Sequence, residues 1–156
     1  MRGKSARAAE RPSPSRHFGV VGAHGGAGTS TITRWLDPDS LGGTFELATG
    51  SQLPPDYIPV VVCQSTAFGM ANAVQLLGSW HPDVPRPYLV VVRDAPLSLP
   101  RATRYRMRAV KPRVFEIVEV PYLVRLRELD TPAEGLDHKA VRKAARTLRQ
   151  RLGLPE

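Results

Sequence analysis

A single cysteine, Cys63, stands in a chain of 156 residues. It excludes an intrachain disulfide and suits a reducing, cytoplasmic setting. No uninterrupted apolar run approaches the roughly 20 residues that span a bilayer, so no membrane partner is expected. The basic stretch MRGKSARAAERPSPSRH has no apolar segment after it, which argues against a secretory signal. His17, His24, His81 and His138 are scattered and Cys63 has no thiol partner, so metal-ligand spacing is missing. No G-x-S-x-G elbow occurs. Aromatic residues make up only 6% of the chain, and Tyr105 alone lies among basic residues, which does not favour single-strand stacking.

Charge of one sign is scarce only at the ends. The net charge is +8, and residues 1–16 hold five Lys/Arg against one acid, while 137–156 hold six against two. Each end therefore carries +4 and the middle sums to zero. Such terminal runs suit a polyanion or solubility better than catalysis. Residues 1–16 are rich in Arg, Ser, Ala and Pro without apolar periodicity, and they are expected to form a disordered basic arm.

What is present is an alternation. Short β-forming runs are expected as strands at 17–23, 43–49, 58–65, 86–96 and 112–123. The run Val60-Val61-Val62-Cys63 suggests burial on both faces. Helices are expected at 29–36, stopped by Asp37-Pro38, at 67–80, closed by Gly78, and at 98–110, with Pro100 near its start. A last helix is expected at 137–152, with Val141, Ala144, Ala145, Leu148 and Leu152 on one stripe and cations on the other. Alternation of this kind predicts α/β architecture: a mostly parallel five-stranded sheet flanked by helices. The organisation expected is an α/β domain over 17–136 with the amphipathic helix of 137–156 packed on it. Ligands of such sheets sit at the carboxyl ends of strands, and a glycine loop lies at one of them.

That loop is GAHGGAGTST, residues 22–31. Glycines let successive amides approach an anion, the following helix N-terminus adds partial positive charge, and Ser30 and Thr31 offer hydroxyls to phosphate or Mg²⁺. The loop resembles the deviant phosphate loop KGGxGKTT of the partition and division-site ATPases (ParA/MinD type). On that match His24 stands at the signature lysine, and Gly25, Gly26 and Gly28 stand at the glycines, with Ala27 between them. Thr29 replaces the phosphate-loop lysine, Ser30 keeps the magnesium-binding hydroxyl, and Thr31 follows it. The resemblance implies a P-loop NTPase-like three-layer sandwich, ATP or another nucleotide with Mg²⁺ at His24–Thr31, and a homodimer or a partner ATPase. VPYLVRLRELDTPAEG, residues 120–135, looks like the segment beside the adenine in those ATPases. As a whole the chain also resembles actinobacterial proteins of mobile or conjugative elements with a similar loop, a resemblance that brings no activity with it.

Departures from the pattern are specific. Both lysines are missing, VVVCQST ends the third strand without a carboxylate, and ELATGSQ lacks the aspartate expected to orient water. Glu46 is near, but its place inside the expected strand argues against that role. Phosphoryl transfer depends on stabilising charge on the transferred group, so binding without turnover is expected, with a partner's cation as one way to restore a weak ATPase. Arg93 and Asp94, after the fourth strand, are further candidates for the cleft or a surface ion pair. A tight turn without ligand, a dinucleotide fold, whose third glycine is missing, and a flavin-type loop remain as alternatives.

Arg101, Arg104 and Arg108 share one expected helix face, and Lys139, Arg142, Lys143, Arg146 and Arg149 another. They are candidates for sequence-independent contact with double-stranded DNA. The resemblance agrees, because partition-type proteins hold DNA through basic residues near the C-terminus. A solvated charged face and docking to an acidic protein stay open beside it.

Overall fold

The computed structural model describes residues 16–124, 126 and 135–154. The arm expected over residues 1–16 lies outside them except for Arg16, and so do residues 125 and 127–134 of the segment after the fifth strand. Five strands form one all-parallel sheet: β1 His17–Gly22, β2 Thr44–Glu46, β3 Tyr57–Gln64, β4 Tyr88–Val92 and β5 Glu116–Val120. Among the described residues four α-helices accompany them: α1 Thr29–Leu36, α2 Ala67–Gly78, α3 Arg101–Val110 and α4 Lys139–Arg151. The result is a three-layer α/β sandwich.

The period-2 alternation of the strands sorts the core into its two faces. Phe18, Val20, Val60, Val62, Tyr88, Val90, Val118 and Val120 point to α1 and α4, where Ile32, Trp35, Val141 and Leu148 meet them. Val21, Val61, Cys63, Leu89 and Val91 point the other way, to Met70, Ala73 and Leu77 of α2 and Val110 at the end of α3. The Val60–Cys63 run is fully buried, because β3 lies inside the sheet with a helical layer on either side. What holds α4 is this apolar stripe. Burying Val141 and Leu148 is worth about 1.5–3 kcal/mol each, whereas the half-exposed pair of Arg151 with Glu116 adds about 0–1.

Strand order is β2-β1-β3-β4-β5. From β1 the chain runs through α1 to β2 on one side, and β3 then returns to the other side of β1. The connections after β1 and β3 therefore diverge to opposite layers. That split between neighbouring strand ends is the position where open parallel sheets bind ligands.

β2 is shorter than the expected 43–49. Leu47 still donates to the Val20 carbonyl at 2.7 Å, but the chain then turns, with Ser51 N–H to Ala48 O and Gly50 at positive φ. An edge strand has one neighbour to hold it, so a turn ends it easily. β4 and β5 are likewise trimmed to the residues that pair, Tyr88↔Glu116 through Val92↔Val120. α3 begins after Pro100, which occupies the cap position because its ring cannot donate to a preceding turn.

Candidate functional site

β1 ends at Gly22, and the chain rises from the sheet as a turn before entering α1. Gly26 and Gly28 have φ of 77° and 100°, a left-handed backbone that a side chain disfavours by about 1–2 kcal/mol. Gly28 is also the cap residue of α1 and supplies no side-chain cap. The Ile32 amide takes the Gly28 carbonyl at 3.0 Å, while the N–H groups of Thr29, Ser30 and Thr31 have no acceptor among the described residues. Gly25, Gly26 and Gly28 are in the same condition. A cleft of about 530 Å³ opens over this loop, lined by Gly22–Thr31 and by Glu46–Thr49. Among the described residues no Lys or Arg lines it.

His24 does not reach into that cleft as a free side chain. Its Nε2 accepts the Gln64 amide at 3.1 Å, which leaves Nδ1 to carry the hydrogen that the Gly25 carbonyl accepts at 2.9 Å. The ring thus joins the loop after β1 to the last residue of β3, across the split in the sheet. Phe68 meets it edge-on, ring centroids 5.5 Å apart. Gly69 makes room for this: a Cβ there would overlap the Gln64 carbonyl and stand 3.0 Å from His24 Nε2. Thr29, at the lysine position, turns its hydroxyl inward against Gly22.

Ser30 faces outward and donates to Glu46 Oε2 at 2.9 Å. Glu46 was discounted in the sequence as an interior strand residue, yet it is the last residue of β2. The early turn after it brings its carboxylate to the first turn of α1. The signal that would have revealed it is the turn-forming run Ala48-Thr49-Gly50-Ser51, which shortens the strand.

A second, narrower cavity of about 210 Å³ shares Ala27, Gly28 and Thr31 with the first. Its other walls include Trp35, Val92, Val120, Pro121, Tyr122 and Leu123, at the carboxyl ends of β4 and β5. Trp35 is fully buried, and its indole N–H has no acceptor among the described residues. Arg93 and Asp94 border this cavity but are held from outside it. Arg93 lies 3.8 Å from Glu119, and Asp94 accepts the Ser65 hydroxyl at 2.8 Å. Ser65, which the sequence did not single out, is a buried junction: its hydroxyl also accepts the Asp94 amide, and its carbonyl accepts Thr103 Oγ1 at 2.7 Å.

The basic helices do not make one surface. α3 packs with α2 on one face of the sheet and α4 with α1 on the other. Several guanidinium groups are engaged by the protein's own carbonyls: Arg104 with Leu99, Arg142 with Leu136, and Arg149 with Trp35 at 2.9 Å. Arg101 and Arg108 on α3, and Lys139, Lys143 and Arg146 on α4, are exposed. Arg16 reaches the far end of α4, donating to the Leu152 carbonyl at 3.2 Å. No described helix is long and apolar enough to cross a membrane. Cys63 is buried, and burial pushes its thiol from 9.0 up to about 12.

Comparison with known protein families, with curated proteins and with solved structures finds no match for this chain.

Proposed function

We propose that this protein binds the phosphate groups of a nucleotide in the Gly25–Thr31 loop and acts as a binding switch without useful turnover. The observation that carries this reading is the set of unaccepted amides at Gly25, Gly26 and Gly28 and in the first turn of α1, all bordering one cleft. Backbone donors of this kind, with the helix dipole behind them, favour an anion without any lysine. The narrow cavity that shares Gly28 and Thr31 supports a nucleotide over a bare phosphate. Its apolar walls suit a flat ring attached to the anion. The likeness of the loop to ParA/MinD-type ATPases agrees with the same ligand class.

Turnover is a separate matter. A transferring phosphoryl group needs cationic stabilisation, and no Lys or Arg among the described residues lines this cleft. His24, at the signature position, joins two strand ends through the Gln64 amide and the Gly25 carbonyl. ATP binding with negligible phosphate release is the expected behaviour.

Calorimetric titration with ATP and Mg²⁺ tests this. Saturable binding is expected, weakened roughly 5- to 30-fold by Gly28→Ala, because a Cβ at φ 100° disfavours the loop by about 1–2 kcal/mol. Absence of heat and of any thermal shift at millimolar nucleotide refutes the binding reading. Phosphate release well above blank refutes the absence of turnover.

A further inference from the structure

We propose that the outer face of α3 and the turn after it bind single-stranded nucleic acid, with Tyr105 and Phe115 as stacking platforms for bases. The inference is independent of the phosphate loop.

Charge on this face is of one sign. Residues 95–115 hold five arginines, one lysine and no acid. α2, which packs beside α3, has no charged side chain at all. α3 buries Thr103 and Val110, so the row Arg101, Tyr105, Arg108, spaced i, i+4, i+7, lies on its outer side. A short 3-10 turn, Lys111–Arg113, continues it. Arg104 and Arg106 are held by the Leu99 and Ala67 carbonyls at 2.7 and 3.1 Å. Arg101, Arg108, Lys111 and Arg113 are exposed, and their side chains have no partner among the described residues. Guanidinium groups dominate, which suits bidentate contact with phosphate oxygens.

Aromatic residues interleave with these cations more than the sequence suggested. Phe115 was expected inside a strand over 112–123, which left Tyr105 as the one aromatic among basic residues. β5 begins only at Glu116, so Phe115 stands at the entrance of the strand, just after Arg113, and is 61% exposed. Tyr88 meets it edge-on. Tyr105 is 66% exposed, and neither its ring nor its hydroxyl has a partner among the described residues.

A single strand presents the faces of its bases, and their stacking on an aromatic side chain tolerates any sequence. A duplex keeps those faces covered and would use the cations alone. An acidic peptide has no base to stack. α4 is equally basic, but it carries no aromatic residue. Glu116 takes its Arg151, and protein carbonyls engage Arg142 and Arg149.

Fluorescence anisotropy with the full chain tests this, using labelled oligo(dT), oligo(U) and a DNA duplex of equal length. A single strand is expected to bind at least tenfold tighter than the duplex. Log affinity should fall against log salt with a slope of about −3, four cations at about −0.7 each. Tyr105→Ala should lose roughly 5- to 150-fold, whereas Tyr105→Phe, which keeps the ring, stays within about twofold. Phe115→Leu, which keeps an apolar side chain beside Tyr88, should lose at least about threefold. Arg101→Gln with Arg108→Gln should flatten the slope by about 1.4, and Lys139→Gln with Lys143→Gln should leave it unchanged. Either oligo(dT) or oligo(U) bound in this way upholds the proposal, and their ratio separates DNA from RNA. A duplex bound as tightly as the single strand, Tyr105→Ala equal to wild type, displacement by polyglutamate at matched charge, or no binding at low salt overturns it.

Discussion

Gly69→Ala and Gly78→Ala make the same chemical change in the same helix, α2, and the structure predicts opposite signs. Alanine in place of helical glycine gains about 0.4–1 kcal/mol from helix preference and a less flexible unfolded chain. At Gly78 an added Cβ meets nothing within 4 Å, so that gain should appear unopposed. At Gly69 the Cβ would overlap the Gln64 carbonyl and crowd His24 Nε2 at 3.0 Å. The first obstacle is backbone and cannot rotate away, so the helix start must shift from β3. Overpacking of this kind costs about 1–3 kcal/mol, and loss of the His24–Gln64 hydrogen bond about 0.5–1.5 more. Against a gain near 1, Gly69→Ala loses about 2 kcal/mol net. For a domain of this size about 1 kcal/mol corresponds to about 2–4 °C. The melting temperature should therefore fall by roughly 4–8 °C for Gly69→Ala and rise by about 1–4 °C for Gly78→Ala, followed by circular dichroism. Shifts of the same sign in both variants would refute the strut assigned to His24 and the close contact of α2 with the end of β3.

Two further outcomes concern the core. Because burial raises the Cys63 thiol from 9.0 to about 12, the folded state holds that proton more tightly than the unfolded chain. Its contribution is complete below pH 9 and is lost as pH rises towards 12, at up to about 1.4 kcal/mol per pH unit. Denaturant unfolding of wild type against Cys63→Val across that window should show the extra slope in wild type alone, and equal slopes would contradict it. Ser65→Ala leaves the Asp94 amide and carboxylate without the hydroxyl that joins them, and should cost about 1–3 kcal/mol. Chemical denaturation measures this, and a change below about 0.5 kcal/mol would remove Ser65 from its place as a junction.

Much of the architecture was legible beforehand because it depends on local signals. Thr29–Leu36 emerged as expected between the glycines and Asp37-Pro38, since capping and proline act within a few residues. The valine run of β3 and the stripe of α4 were readable for the same reason: periodicity records which faces must avoid water. Strand ends were less legible. β2 was read past Glu46 into Leu47–Thr49, because apolar and β-branched residues continue after pairing has stopped.

The site divides along the same line. That a glycine loop would stand at a strand end was determined by sequence alone, from composition and alternation. The partner of each polar group was decided by the tertiary structure. His24 belongs to Gln64, forty positions away, Ser30 to Glu46 in another strand, and Arg149 to the end of α1. The two basic helices share a charge but are assigned to opposite faces of the sheet by the order of the strands. Local chemistry selects helix, strand and turn within a few residues. Which charges meet across the molecule depends on the crossovers between strands, and no local pattern encodes those distances.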